Sequence, residues 1–486
     1  MIHLSTLLGA ALLTASVGCN APSARLSFPA APLIHTRDAQ HYDLDNDQIW
    51  DFAVMRDNTG SPTIVYHDAP SGRPDRIYRK SDHHQPDLPH VFILVDSIPF
   101  FAVRERYDNG GFLWFDPPQK IIAPFPTMSG LIFSQILGAP PVPSANNRYY
   151  DPTDNRKHDL IWRRVFGYVS PWQERLDYRA RYWENGLAFL KPRPWFHAEL
   201  ERARRAIQRS SHKRTIVYIA STSGMLSRYG RDGLDEVLDG LVQLCLQLLY
   251  EYRGAIDITI ISDHGHNLIE GTRFSVEPIF RDAGYNIRAR LDSENDVVLD
   301  MDGLVNYLGV HTRRPKRVGD LLVNCPEVEF VVYKDGESIV VRTTNGSAMI
   351  SKVDDTFRFV ITAGNPLGYA TTIEAMREAG RLSADAAAPS DVWFSQTVDH
   401  EYPNAPVRLW NALHANVRYP PDLMVGIRDG YYVGDPSFEK YIHMKSTHGG
   451  LNQINSAAVI LTTTGRVGGP LESRNILRTV EPMYTP

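Results

Sequence analysis

His90-Val91-Phe92-Ile93-Leu94-Val95-Asp96 is an unbroken apolar run that ends in a carboxylate. A strand with one face in water alternates apolar and polar side chains, so a continuous run predicts a strand buried on both faces, as in a parallel sheet covered by helices. Asp96 then falls at the carboxyl end of the strand, where open α/β sheets carry their sites. Two later stretches repeat the design, RTIVYIAST over 214–222 and AIDITIISDHGH over 255–266. Each follows a stretch with apolar residues at helical spacing, WFHAELERARRAIQ and LDEVLDGLVQLCLQLLYEY. Strands alternating with helices predict an α/β fold, a three-layer αβα sandwich.

Outward from this core, the short alternating runs of VEFVVYKDGESIVVRTTNGSAMISK, with Asp335-Gly336 and Asn345-Gly346 as hairpin turns, predict a small β insertion over 318–362. DLMVGIRDGYYVG and AAVILTTT are expected to supply the last strands of the core. The organisation read from the chain is therefore a signal segment over 1–18, a linker and acidic-loop β module over 19–85, the core over 86–317 and 363–486, and the insertion between. In the β module, Asp43, Asp45, Asp47 and Asp51 occur in a loop between strand-like pieces, where carboxylates at every second position converge on a hard cation. The pattern resembles single calcium loops of integrin-like propellers and dockerins, with Gln48 where a turn glycine is usual. Only one copy is present, which excludes a propeller.

Residues 3–18 are apolar, too short to span a membrane as a mature helix, and end in small residues before Cys19. Ala15-Ser16-Val17-Gly18-Cys19 resembles a bacterial lipobox, which implies lipidation at Cys19 and a place in the bacterial cell envelope, as an outer-membrane lipoprotein or in the periplasm. A plainly cleaved signal and a retained anchor remain open. Cys245 lies in an apolar helical run and reads as a small buried hydrophobe, and the three cysteines imply no disulfide framework. A formal charge of −5 and a pI near 6.4 give no global basic field, which excludes nucleic-acid recognition as the main function.

Four separated pieces are of a type to carry chemistry: Asp96 after a strand, Ser129 in APFPTMSGLIFSQILG, Asp263-His264-Gly265 after a strand, and Thr447-His448-Gly449. Together, in this order, they resemble the alkaline phosphatase superfamily, most closely its type I phosphodiesterase and nucleotide pyrophosphatase branch, over roughly residues 90–465. The resemblance implies Ser129 as nucleophile, with Thr127 as the fallback, and Asp96, Ser129, Asp263 and His264 as ligands of one divalent transition metal. That mixed carboxylate and imidazole set suits zinc, with manganese or iron as alternatives. A hydroxyl needs such a cation to become a good nucleophile, and the start of the helix GLIFSQIL adds N–H groups toward a phosphate. His266, two residues on, is a candidate supporting group or substitute ligand.

The second metal site of the family departs. Its segment corresponds to Ser221-Thr222-Ser223-Gly224-Met225-Leu226-Ser227-Arg228-Tyr229-Gly230, with Ser223 and Ser227 at the two ligand positions, and His448 is retained alone. One imidazole with two neutral hydroxyls is a poor divalent site. Arg228 or Lys445 is a candidate to replace the missing positive charge. Two functions follow: an envelope-exposed phosphoric ester hydrolase, phosphodiesterase-like, working on one metal, or a degraded member that binds a small phosphoester, an envelope component or a partner. A sulfatase is disfavoured, since no cysteine stands at the nucleophile position. Tyr149, Tyr150 and Trp172 are candidates to cover a leaving group.

Overall fold

The computed structural model describes residues 24–67, 76–80, 88–301, 303–436, 442–465 and 467–476, so the signal segment and Cys19 lie outside the described residues. The fold is α/β. Its central sheet has six strands in the spatial order Arg214–Ile219, His90–Val95, Asp257–Ser262, Ala457–Thr462, Gln119–Ile122 and Leu471–Glu472. All six residues of His90–Val95 are buried, as an unbroken apolar run requires. Val91, Ile93 and Val95 pack on one face with Leu200 of helix Pro192–Arg209 and Leu241, Leu244 and Leu248 of helix Ser221–Glu251. Phe92 and Leu94 pack on the other with Leu131 and Phe133 of helix Ser129–Ile136. Each such side chain contributes about 1.5–3 kcal/mol by leaving water.

Strands His90–Val95 and Asp257–Ser262 are parallel, with Val95 opposite Ser262. Asp96 and Asp263 therefore emerge side by side at one end of the sheet. The helix that begins at Ser221 changes direction at Gly230, where φ is +58° and ψ −128°, a conformation open to glycine. The bend lies where the chain near Lys445 crosses, and Lys445 N–H donates to Ser227 O at 2.8 Å.

The closing strands are divided differently from the sequence expectation. Ala457–Thr462 joins the central sheet, antiparallel between Asp257–Ser262 and Gln119–Ile122. Leu423–Ile427, expected in the core, pairs instead with Tyr307–Thr312 and Val328–Asp335. The hairpins expected over 318–362 form, with Asp335 opposite Ser338 and Thr343 opposite Gly346. They are not a small sheet of their own, however. They belong to a nine-stranded sheet whose strands run from Asn286 to Ile427. An apolar run records that a strand is buried, not which sheet buries it.

The acidic loop lies between Ala39–Tyr42 and Phe52–Arg56 of a five-stranded antiparallel sheet. That sheet packs through Phe52 and Tyr66, together with Phe28 of the segment before it, against helix Ser221–Glu251, and Tyr66 Oη donates to Leu249 O at 2.8 Å. No described helix is long and apolar enough to cross a membrane.

Candidate active site

The two carboxylates beyond the parallel strands are held differently. Asp263 Oδ1 accepts from the backbone N–H groups of Ser97 at 2.9 Å and His264 at 2.8 Å. Its Oδ2 is buried and without a hydrogen-bond partner. Asp96 Oδ1 accepts from Ser97 Oγ at 2.7 Å, and its Oδ2 accepts from Tyr218 Oη at 2.7 Å and Ser129 Oγ at 3.2 Å. Burial, and then the nearby Asp96 carboxylate, push the Asp263 carboxyl well above its ordinary range. Burial and the same two carboxylates also push the Tyr218 phenol up, so it stays a hydrogen-bond donor.

His264 Nδ1 lies 2.9 Å from Gly265 O, and a carbonyl only accepts, so Nδ1 carries the proton and Nε2 a lone pair. That Nε2 is buried, unpartnered, and 3.4 Å from Asp263 Oδ2 and 3.9 Å from Asp96 Oδ1, too far for strong hydrogen bonds. Ligand atoms of Asp96, Asp263 and His264 all lie within 4.8 Å of one another. Leaving a carboxylate oxygen and an imidazole lone pair orphaned in a dry interior is costly. A divalent cation satisfies both, so the residues present fit a metal, and the carbonyl on the far ring nitrogen is the support that metal-binding histidines use.

Ser129 is the first residue of its helix and is half-buried; its hydroxyl goes to Asp96 and makes no cap. The fallback Thr127 is fully buried and spent on structure, its Oγ1 accepting from Gly449 N–H at 2.9 Å. His448 Nδ1 lies 3.0 Å from Thr127 O, so its Nε2 is the lone-pair nitrogen. The His264 and His448 rings stack with centroids 4.2 Å apart. Burial, and then His264, hold His448 well below the ordinary imidazole value. His266 turns to the same side: its ring lies 5.4 Å from that of His448, Nδ1 meets Ser446 Oγ, and the buried Nε2 has no partner. Ser223 and Ser227 are both buried on the first segment of helix Ser221–Glu251, four residues apart and so on one face.

Other expectations are corrected. Lys445 Nζ pairs with Glu270 at 2.5 Å on the exposed side, and Arg228 donates to Phe189 O at 3.4 Å. Tyr149 stacks on His158 and Tyr419, and Tyr150 packs against His311, because 148–151 pairs with 156–159 as a hairpin. Trp172 does line the cavity beside Ser129. Three contributors were missed by reading the sequence: Tyr218, Asn267 and Asp429. Asn267 Oδ1 accepts from Thr447 N–H at 2.9 Å, and its Nδ2 donates to Asp429 Oδ1 at 2.9 Å, clamping the His448 loop. A tyrosine hydroxyl among the apolar residues Ile216, Val217 and Ile219 near the end of strand Arg214–Ile219 was the available signal for Tyr218.

At the N-terminal loop, Asp43, Asp45 and Asp51 bring oxygens within 4.8 Å, and all four aspartates accept backbone N–H groups of the loop: Asp43 from Asn46 and Gln48, Asp45 from Asp47, Asp51 from Leu44 and Asp47 from Ile49. Gln48 takes φ +70°, the conformation a glycine usually serves. No protein-family model matches the chain, and no curated protein matches it.

Proposed function

We propose that the chain is an envelope-exposed, metal-dependent phosphoric ester hydrolase, phosphodiesterase-like, built on the three-layer sandwich of the alkaline phosphatase superfamily. One observation carries the reading: Asp96, Asp263 and His264 converge at the ends of adjacent parallel strands, with Asp263 Oδ2 and His264 Nε2 orphaned and Ser129 Oγ 3.2 Å from Asp96 Oδ2. A divalent transition metal of the zinc type, held by these four residues, supplies Lewis acidity that makes the serine hydroxyl nucleophilic and offsets charge at phosphorus.

The chain's own residues do the rest. Ser129 Oγ–H donates to Asp96 Oδ2, which places a proton acceptor at the nucleophile. Oγ attacks phosphorus and gives its proton to Asp96, one ester oxygen departs as the alcohol with a proton, and a serine-bound phosphodiester that keeps the second organic group forms. Water then attacks phosphorus, Ser129 Oγ leaves and recovers a proton, and the phosphate monoester of the second organic group is released. Tyr218 holds Asp96 Oδ2 in place, and the amides at the start of helix Ser129–Ile136 face developing negative charge. The second step is the weak one, because Ser223 and Ser227 leave His448 without the carboxylate that a second, water-activating ion requires. Asp43, Asp45 and Asp51 fit calcium, a structural ion far from this chemistry.

A degraded member that binds without turnover is the second reading, and the two serines are what favour it. The test is a metal count with hydrolysis of bis-4-nitrophenyl phosphate and 4-nitrophenyl phosphate. The hydrolase reading expects about one tightly held transition metal, diester turnover, and loss of that turnover in Ser129→Ala. Activity that survives Ser129→Ala, or a metal-loaded protein inert to both esters, overturns it.

A further inference from the structure

Beside Ser129 and Tyr218 opens a cavity of about 470 Å³. Its wall carries three guanidinium groups, Arg164, Arg179 and Arg181, and not one carboxylate. Arg164 is braced, with Nη2 donating to Ser170 Oγ at 3.0 Å and the guanidinium over the Tyr182 ring. Among the described residues no ion pair engages Arg179 or Arg181. The nearest acids along the chain are occupied elsewhere: Asp177 meets His212 Nδ1 and accepts from Ile216 N–H, each at 2.7 Å, and Glu184 accepts from Arg181 N–H at 2.7 Å and Arg202 Nη1 at 2.6 Å. Trp172, almost wholly buried in the same wall, is fixed by stacking on Phe133 at 5.3 Å, and its indole N–H has no hydrogen-bond partner.

The wall therefore presents guanidinium charge to a concave space, and that of Arg179 and Arg181 meets no acid among the described residues. A planar guanidinium binds carboxylate and phosphate in a bidentate manner, and the Trp172 ring adds an aromatic wall. Resting on the hydrolase reading above, we infer that the cavity receives the organic group of the ester and that this group bears a second acid, a carboxylate or a phosphate, on a flat or apolar body. The substrate then carries one negative charge at the reacting phosphorus and another at Arg179 and Arg181.

Calorimetric titration of the metal-loaded protein tests this with phenylphosphonate, 4-phosphonobenzoate and 1,4-phenylenebisphosphonate. At least one of the two diacids should bind ten-fold or more tighter than the monoacid, and the tighter of them names the second acid group. In Arg179→Ala with Arg181→Ala that ratio should fall to near one, and in Arg181→Glu, at an exposed position, it should fall further than in Arg181→Ala. Equal affinity for all three, or a preference that persists in the double variant, overturns the inference. The two readings fail separately. A diacid preference in a protein that hydrolyses no ester keeps the cavity and removes the hydrolase; Ser129-dependent hydrolysis with no diacid preference does the reverse.

Discussion

Asp263 is the residue at which function and stability oppose each other. Its carboxylate is fully buried beside Asp96, and without a cation the pair is a net cost. Asp263→Asn keeps the acceptor for Ser97 and His264 and removes the charge. In chelated protein it should melt higher than the parent, and after metal is added it should melt lower, because the ligand set is broken. Scanning calorimetry with and without chelator reads both signs. Glu329 offers a second single-residue effect. Burial pushes its carboxyl up to about 7, with Asp429 and Glu401 adding to the rise and the Tyr402 hydroxyl and Arg428 opposing it. The folded state therefore holds a proton that the unfolded chain gives up near 4.3, so this group's contribution is intact below about 4.3 and is lost as pH rises to about 7. Glu329→Gln keeps the acceptor for the Tyr402 hydroxyl, 2.8 Å away, and should narrow the gap between urea midpoints at pH 5 and pH 8.

At the scale of elements, the site depends on how two loops from distant parts of the chain are tied. The loop after Asp257–Ser262 and the loop carrying His448 meet through Asn267, which Asp429 secures from the far end of the second sheet. Asp429 also accepts from Asn452 at 2.8 Å and Asn455 at 3.1 Å. Asp429→Ala takes the acceptor from the amide groups of Asn267 and Asn452, while Asn455 keeps Asn452 Oδ1 at 2.7 Å, and should destabilise the protein by about 1–3 kcal/mol. Urea unfolding checks that figure. Because the clamp sets His448 against His264, diester turnover should fall in the same variant while the metal held by Asp96, Asp263 and His264 is retained.

For the molecule as a whole, the question is whether one metal site is enough. Ser223→Asp with Ser227→His places a carboxylate and an imidazole on one helical face, beside a loop that Lys445 N–H already ties to Ser227 O. Bound metal should rise by one equivalent and turnover of bis-4-nitrophenyl phosphate by about ten-fold or more, from water activation and charge neutralisation. Ser129→Ala in that background should erase the gain. A second equivalent of metal with no gain in turnover favours the binding reading.

What the sequence determined by itself is whatever strand physics writes locally. The apolar run 90–95 declares burial on both faces, the isoleucine-rich stretch 257–262 repeats it with Thr259 inside, and polar residues that follow such strands stand at their carboxyl ends. Asp96, Asp263 and His264 were legible for that reason, and Ser129 and His448 through their motifs. Tertiary structure alone decided which sheet takes Leu423–Ile427, that Tyr149 and Tyr150 turn away into a hairpin, and that Tyr218 reaches Asp96. It alone gathered Arg164, Arg179 and Arg181 into a wall without acids. Those outcomes depend on which segments meet across the fold, and neither hydrophobic period nor residue spacing along one segment encodes the position of another.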